Sequence, residues 1–144
     1  MTSLSAPSLS IGPDGCRVRL DDGEVLDLAL DGAPEDSALL RRLFGSRSSI
    51  TADVDPAQVL ELPCPQTPPD LPRWLAQNAP LAPEALVWTR PFASACNGQQ
   101  VVAVVRKDWL AKQCRRLEAA SRVPIRPVMT ESAVPFCHRS SLGR

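Results

Sequence analysis

The chain has 144 residues, of which 44% are apolar and 22% are charged, proportions typical of a globular protein with a packed core. This composition excludes wholesale disorder, and the length fits one domain. The formal charge is zero overall, but residues 1–70 carry a net charge of −7 and residues 101–144 a net charge of +6. Such asymmetry can steer charged partners. No run approaches the roughly 18 apolar residues that cross a bilayer, so the chain as given is not expected to span a membrane.

The domain boundaries follow from composition. We predict a flexible N-terminus over residues 1–8, a single α/β domain over residues 9–134 and a basic polar tail over residues 135–144. The five cysteines are widely spaced, with no Cys-x-x-Cys pair, and the N-terminus carries no secretory signal. Free thiols in a reducing, cytoplasmic compartment are therefore expected.

The first half of the chain predicts a β-meander followed by a short helix. Leu9-Ser10-Ile11 leads through a turn to a half-buried strand at Cys16–Leu20, and Asp21-Asp22-Gly23 predicts a hairpin turn before the next strand at Glu24–Leu30. Two acids after Pro34 precede the apolar spacing of a helix over Ser37–Gly45. Further strands are expected at Ser49–Val54 and Val59–Leu62.

The second half predicts two more helices and three more strands. Asp70 is placed to cap a helix over Leu71–Asn78, and Asp108 to cap a longer helix over Trp109–Ala120. The remaining predicted elements are an antiparallel pair at Ala85–Phe92 and Gln100–Val105, with the second strand central, and a final edge strand at Pro124–Met129. The expected order is ββαββαββαβ. The predicted fold class is α/β, with α+β as the alternative: a mixed sheet with two to three packed helices.

Few residues suggest catalysis. His138, the single histidine, follows Cys137 in the polar tail, and a Cys-His nucleophile requires two side chains brought together by a fold. A small thiol-dependent or hydrolytic enzyme using Cys137 and His138 therefore stays an alternative, and the chain is expected not to be an enzyme. No glycine-rich phosphate loop or metal-ligand spacing is present, so no cofactor, metal or small-molecule substrate is expected. Without tyrosine and with three phenylalanines, a base-stacking platform is poorly supplied, which leaves a small nucleic-acid-binding regulatory module as a further alternative.

From about Ile50 onward the order of features resembles the cytoplasmic domains of the L component of type II secretion inner-membrane platforms and of related actin-like pilus-assembly proteins. The strongest match is Val101–Leu110 running into Leu117–Ala120, a strand, a basic turn and a helix that ends in small residues. Other matching stretches are Val59–Pro63, Asp70–Leu75 and Leu81–Trp88. The resemblance covers about half the chain and implies part of an actin-like, RNase H-like domain without an active site.

The resemblance implies a scaffold that recruits a cytoplasmic assembly ATPase and other platform proteins at the cytoplasmic face of the inner membrane. Membrane attachment would come only through a segment absent from this chain, and a homodimer is a further expected assembly. The apolar stripe of the last helix turns its basic residues to solvent. We therefore predict partner-binding residues at Lys112, Arg115, Arg116 and Arg122.

Overall fold

In the computed structural model of the protein, residues 7–94 and 97–129 are described. Strands in this part of the chain are β1 (Ser8–Ile11), β2 (Cys16–Arg19), β3 (Val25–Leu28), β4 (Ile50–Val54), β5 (Leu60–Pro63), β6 (Leu86–Trp88), β7 (Phe92–Ala93), β8 (Gln100–Arg106) and β9 (Ile125–Met129). The α-helices there are α1 (Pro34–Phe44), α2 (Leu71–Asn78) and α3 (Lys107–Ser121). Two compact units are present: the first includes residues 7–55 and 112–128, and the second residues 56–94 and 97–111. The single domain predicted over residues 9–134 stays a prediction.

A five-stranded mixed sheet, ordered β3-β2-β1-β4-β9, forms most of the first unit. Strands β1, β2 and β3 are antiparallel neighbours, whereas β4 runs parallel to β1. Cys16 and Val18 on β2 are buried while Arg17 and Arg19 are exposed, so one face of this strand belongs to the core. The predicted meander is confirmed, and β9 lies at the sheet edge as expected. The sequence interpretation missed that the lead-in around Leu9 is itself a strand.

Helix α1 is longer than predicted at its start. Pro34 occupies the first helical turn, because its fixed φ suits a helix and that position needs no amide hydrogen. The two following acids therefore lie inside the first turn, rather than before it. The helix ends at Gly45, whose amide donates to the carbonyl oxygen of Arg41 at 2.8 Å. A Cβ at Gly45 would collide with that same carbonyl, so the ending depends on glycine.

The second unit is built on an antiparallel sheet in the order β5-β8-β6, with β7 also paired to β8. Strand β8 is central, and Val101–Val105 is buried throughout, which confirms the predicted central strand. Pairing of β6 and of β7 with β8 differs by one residue in register, which defines a β-bulge between them. The fully buried Thr89 lies at this bulge. Its hydroxyl oxygen accepts a hydrogen bond from the amide of Ala103 at 3.1 Å, in place of a main-chain carbonyl oxygen.

Helix α2 spans the predicted residues, and Asp70 caps it as expected. The Asp70 carboxylate accepts from the amide of Arg73 at 3.2 Å. Leu75 is fully buried, and Trp74 packs against the same hydrophobic cluster with one side. The remaining buried members of the cluster are Cys64, Leu86, Trp88, Val102 and Val104.

Helix α3 starts two residues before the predicted position, because β8 runs into it without a loop. Asp108 is therefore not the N-cap: it lies in the first turn, where its carboxylate accepts from the amide of Trp109 at 2.7 Å and pairs with Arg106. The mixed α/β fold class is confirmed, although the strands form two sheets rather than one. Among the helices of residues 7–94 and 97–129, none is long and apolar enough to cross a membrane.

Candidate interaction surface

Helix α3 carries the residues predicted to bind a partner. Its buried side chains recur at helical spacing, and they are Leu110, Gln113, Leu117 and Ser121. Lys112 and Arg115 point the other way and are exposed. Because residues three apart are neighbours on a helix surface, these two cations form one patch.

Arg122 lies just beyond the C-terminal end of α3. Its backbone is in the left-handed region, with φ of 62°, and its amide donates to the carbonyl oxygen of Glu118 at 2.8 Å. The residue is exposed. We call Lys112, Arg115 and Arg122 the basic face of α3, and none of the three makes an ion pair with a residue of the described ranges.

Arg116 differs from the other three predicted contacts, because its guanidinium is bound to the protein's own backbone. Nη2 donates to the carbonyl oxygens of Ala29 and Leu30, both at 2.7 Å, and Nε donates to Leu30 at 3.2 Å. Nη1 donates to Oε1 of Gln113 at 3.1 Å. Arg116 is half-buried. Whether it also contacts a partner stays a prediction, but most of its donors already have acceptors.

Glu118 has a similar role on the opposite flank of α3. Its Oε2 accepts from the amide of Ile125 at 2.9 Å, at the start of β9. Helical periodicity alone would place Glu118 with the basic residues on the solvent side. Arg116 and Glu118 both lie next to the apolar stripe in the helical repeat. From the sequence, only this position could have indicated that they stabilise the fold.

A small cavity of about 220 Å³ lies beside Arg116 in the first unit. Its lining includes Gly32, Ala33, Asp36, Ser37 and Ala119. The two charged side chains in the lining, Asp36 and Arg116, have opposite signs, and Arg116 is already bound to carbonyl oxygens. The lining therefore presents no group of like side chains that would bind a charged ligand. Across the described ranges, no three His, Cys, Asp or Glu side chains converge to hold a metal ion.

The described thiols are free cysteines with raised pKa values. Burial, with the carboxylates of Asp36 and Asp27 as smaller causes, raises the pKa of Cys16 to about 12. Burial, with Glu118 as a smaller cause, raises the pKa of Cys114 to about 11, and burial also raises the pKa of Cys64. All three are therefore protonated and weakly nucleophilic at neutral pH. Cys137 and His138, the pair of the enzyme alternative, and Cys96 lie outside the described residues.

The parallel pairing of β4 with β1, combined with the antiparallel meander, gives the first unit a mixed sheet. The chain is similar in structure to Cyto-EpsL, the cytoplasmic domain of EpsL, an inner-membrane component of the type II secretion system of Vibrio cholerae. The TM-score is 0.56 at 13% sequence identity. The match covers 85% of this chain and 56% of the EpsL structure, so the chain spans about half the length of that neighbour. No protein-family model and no curated protein sequence matches the chain. At this identity the likeness shows the fold, and it confirms the predicted fold class.

Proposed function

We propose that the chain is a non-catalytic scaffold domain of a bacterial secretion or pilus-assembly inner-membrane platform, and that it docks a cytoplasmic assembly ATPase. The observation that carries the proposal is the basic face of α3, which is exposed on a helix whose other sides are occupied. Similarity of fold to the cytoplasmic domain of EpsL supports the class of machine. The proposed location is the cytoplasmic face of the inner membrane, with other platform proteins and a second copy of the chain as further partners.

The chemistry of the basic face favours an acidic protein surface as the partner. Lys112 and Arg115 lack acidic partners in the described residues, so their charge is available to an approaching protein. Charges at the rim of an interface act mainly on the association rate and make it sensitive to salt. The ATPase surface that meets α3 should therefore carry carboxylates.

The non-catalytic part of the proposal rests on the thiols and the charged groups of the described residues. Cys16 and Cys114 hold their protons at neutral pH because they are buried near carboxylates. The side chains of Arg116 and Glu118 on α3 are bound to backbone groups of the protein itself. These features favour a binding role over a hydrolytic or thiol-dependent one.

The test compares two double charge reversals in association kinetics with the assembly ATPase of the chain's own secretion or pilus system. Lys112→Glu with Arg115→Glu reverses the basic face, while Arg41→Glu with Arg42→Glu makes the same charge change on the exposed side of α1. We expect the first variant to associate roughly tenfold more slowly at low salt, and the second to stay close to wild type. The difference should shrink as salt is raised, because screening weakens exposed charges.

Thermal unfolding of both variants checks that the fold is retained. Equal association rates for the two variants, or no binding by the wild-type chain at micromolar concentration, would contradict the proposal. Hydrolytic activity that disappears in His138→Ala at unchanged stability would favour the enzyme alternative instead.

A further inference from the structure

The edge strands of the two sheets differ in how well their main-chain amide and carbonyl groups are protected. An exposed edge strand offers a row of amide and carbonyl groups that another strand can bind, and proteins usually protect such edges. Strand β9 is protected in two ways. The amide of Ile125 is already bound by Glu118, and Pro127, which faces the same way two residues later, has no amide hydrogen.

The strands β5 and β6 of the second sheet are protected as well. On β5, Cys64 and the alternate residues before it face β8, because the amide of Cys64 donates to the carbonyl oxygen of Gln100 at 2.9 Å. The outward positions are therefore Glu61 and Pro63, and proline offers no donor. Strand β6, at the other edge, is buried at all three of its residues.

Strand β3 is different, because both of its outward residues offer a complete pair of main-chain groups. The amide of Leu20 donates to the carbonyl oxygen of Glu24 at 2.8 Å, so alternate residues from Glu24 onward face β2. Val25 and Asp27 consequently direct both their amide and their carbonyl away from the sheet. No strand of the described residues lies on that side, and the side chain of Val25 is 41% exposed.

The hairpin turn fixes this edge in an extended form. Gly23 has φ of 93°, a conformation that glycine adopts without strain, and its amide donates to the carbonyl oxygen of Leu20 at 2.9 Å. The turn therefore holds β3 in register with β2, and the edge is prepared before any partner arrives.

The charge around the edge selects the partner. Residues 17–31 hold five acids and two arginines, a net charge of −3. Arg17 is paired with Asp27 at 2.8 Å, and Arg19 lies beside it on β2. Acids without an ion pair in the described ranges remain along the turn and after the strand, at Asp21, Asp22, Glu24 and Asp31. An incoming strand would therefore be stabilised by basic side chains and disfavoured by acidic ones.

We infer that the outer edge of β3 is a docking site for an extended basic segment of a partner protein, which adds to the sheet as a sixth strand through the main chain of Val25 and Asp27. This mode gives affinity through backbone hydrogen bonds and specificity through alternate side chains. It is independent of the basic face of α3, which has the opposite charge and would bind a different partner surface.

The test uses three labelled octapeptides with the full 144-residue chain. Four repeats of Lys-Val supply charge and strand-forming amides, four repeats of Lys-Pro supply the same charge with half the amide donors and poor strand geometry, and four repeats of Glu-Val reverse the charge. Binding is followed by fluorescence anisotropy, and the site by hydrogen exchange of individual amides. We expect the Lys-Val peptide to bind at least tenfold more tightly than either control and to slow exchange at Val25 and Asp27.

A pair of variants locates the contact. Val25→Pro removes one outward amide, whereas Val25→Thr keeps it with a strand-forming side chain. We expect Val25→Pro to weaken Lys-Val binding about tenfold and Val25→Thr to leave it within a factor of about two. The wild-type exchange data stand even if Val25→Pro unfolds the chain.

Five results would overturn the inference. Equal binding of the Lys-Pro peptide would show attraction by charge alone, and equal binding of the Glu-Val peptide would remove the role of charge. Slowed exchange elsewhere in the chain, with Val25 and Asp27 unaffected, would place the peptide at another site. Protection of these two amides in the free chain, or protection that grows with protein concentration, would mean that the edge is already occupied or pairs with a second copy.

Discussion

Replacing Arg116 by alanine should destabilise the chain substantially, although part of its side chain faces solvent. The guanidinium donates to two successive carbonyl oxygens, of Ala29 and Leu30, at distances of 2.7 Å. Leu30 is buried and has φ of 56°, a conformation that is strained for a leucine. Arg116 therefore holds a strained turn in place, and its loss leaves carbonyl groups with fewer donors.

The magnitude follows from these contacts. A hydrogen bond to a charged group contributes about 1.5–3 kcal/mol, and two carbonyls share one partly hydrated guanidinium, so we expect Arg116→Ala to lower the free energy of unfolding by about 2–4 kcal/mol. Arg116→Lys should recover part of this loss, because an ammonium keeps the charge but not the planar fork. Arg115→Ala, one position along the same helix, should change the free energy by less than about 0.5 kcal/mol.

The assay is reversible urea unfolding followed by circular dichroism, with the three variants at one pH and salt concentration. A loss for Arg116→Ala as small as that for Arg115→Ala would refute the assignment of Arg116 to the fold. Helical periodicity alone would treat Arg115 and Arg116 alike as solvent-facing residues, whereas the contacts of Arg116 predict a loss of stability for Arg116→Ala only.

Two further predictions concern buried polar atoms in each unit. Thr89→Val keeps the shape of the side chain but removes the acceptor of the Ala103 amide, so it should lower the free energy of unfolding in urea by about 1–3 kcal/mol. Thr89→Ser keeps the hydroxyl and should lower it by less. Equal losses for the two variants would contradict the hydrogen-bond argument. Because the pKa of Cys16 is raised from 9.0 to about 12, the folded chain holds this proton more tightly than the unfolded chain. The contribution of the Cys16 proton to stability should therefore be fully present below pH 9 and be lost as the pH rises from 9 toward 12. In Cys16→Ala the free energy of unfolding should fall less steeply with pH over this range.

Most elements were predictable from the sequence where local signals agreed. Asp70, followed by proline in the first turn, defines the start of α2, and the alternation around Val18 defines β2 with its buried face. The run at Val101–Val105 identifies a central strand, because a strand covered on both faces needs no polar residues. In each case a short stretch of sequence contains the physical reason for the structure.

The division of strands into two sheets could not be predicted, because pairing depends on contacts between distant parts of the chain. Nothing local shows that β1 lies beside β4, or that β5 pairs with β8 instead of β4. The start of α3 was missed for a different reason. Asp108 has the chemistry of an N-cap, but β8 enters the helix directly and leaves no separate cap residue.

The surface available to partners was also only partly visible in the sequence. Periodicity separates the buried stripe of α3 from its polar side, but it cannot tell which polar residues bind the protein itself. Arg116 and Glu118 occupy the two flanks and fasten the helix to the end of the meander and to the start of β9. A rotation of α3 about its axis would break both contacts, so the orientation of Lys112 and Arg115 is fixed before any partner binds.

The same contact limits the edge proposed for strand docking. Ala29 follows β3 and continues the outward alternation of Val25 and Asp27, yet its carbonyl oxygen is already bound by Arg116 at 2.7 Å. An added strand can therefore pair with β3 but cannot extend past it. A partner segment of about four residues fills the available length, which is short for a stable complex formed by backbone hydrogen bonds alone. The acids of the turn and of Asp31 lie at the two ends of this stretch, where basic side chains flanking the added strand would supply the remaining affinity.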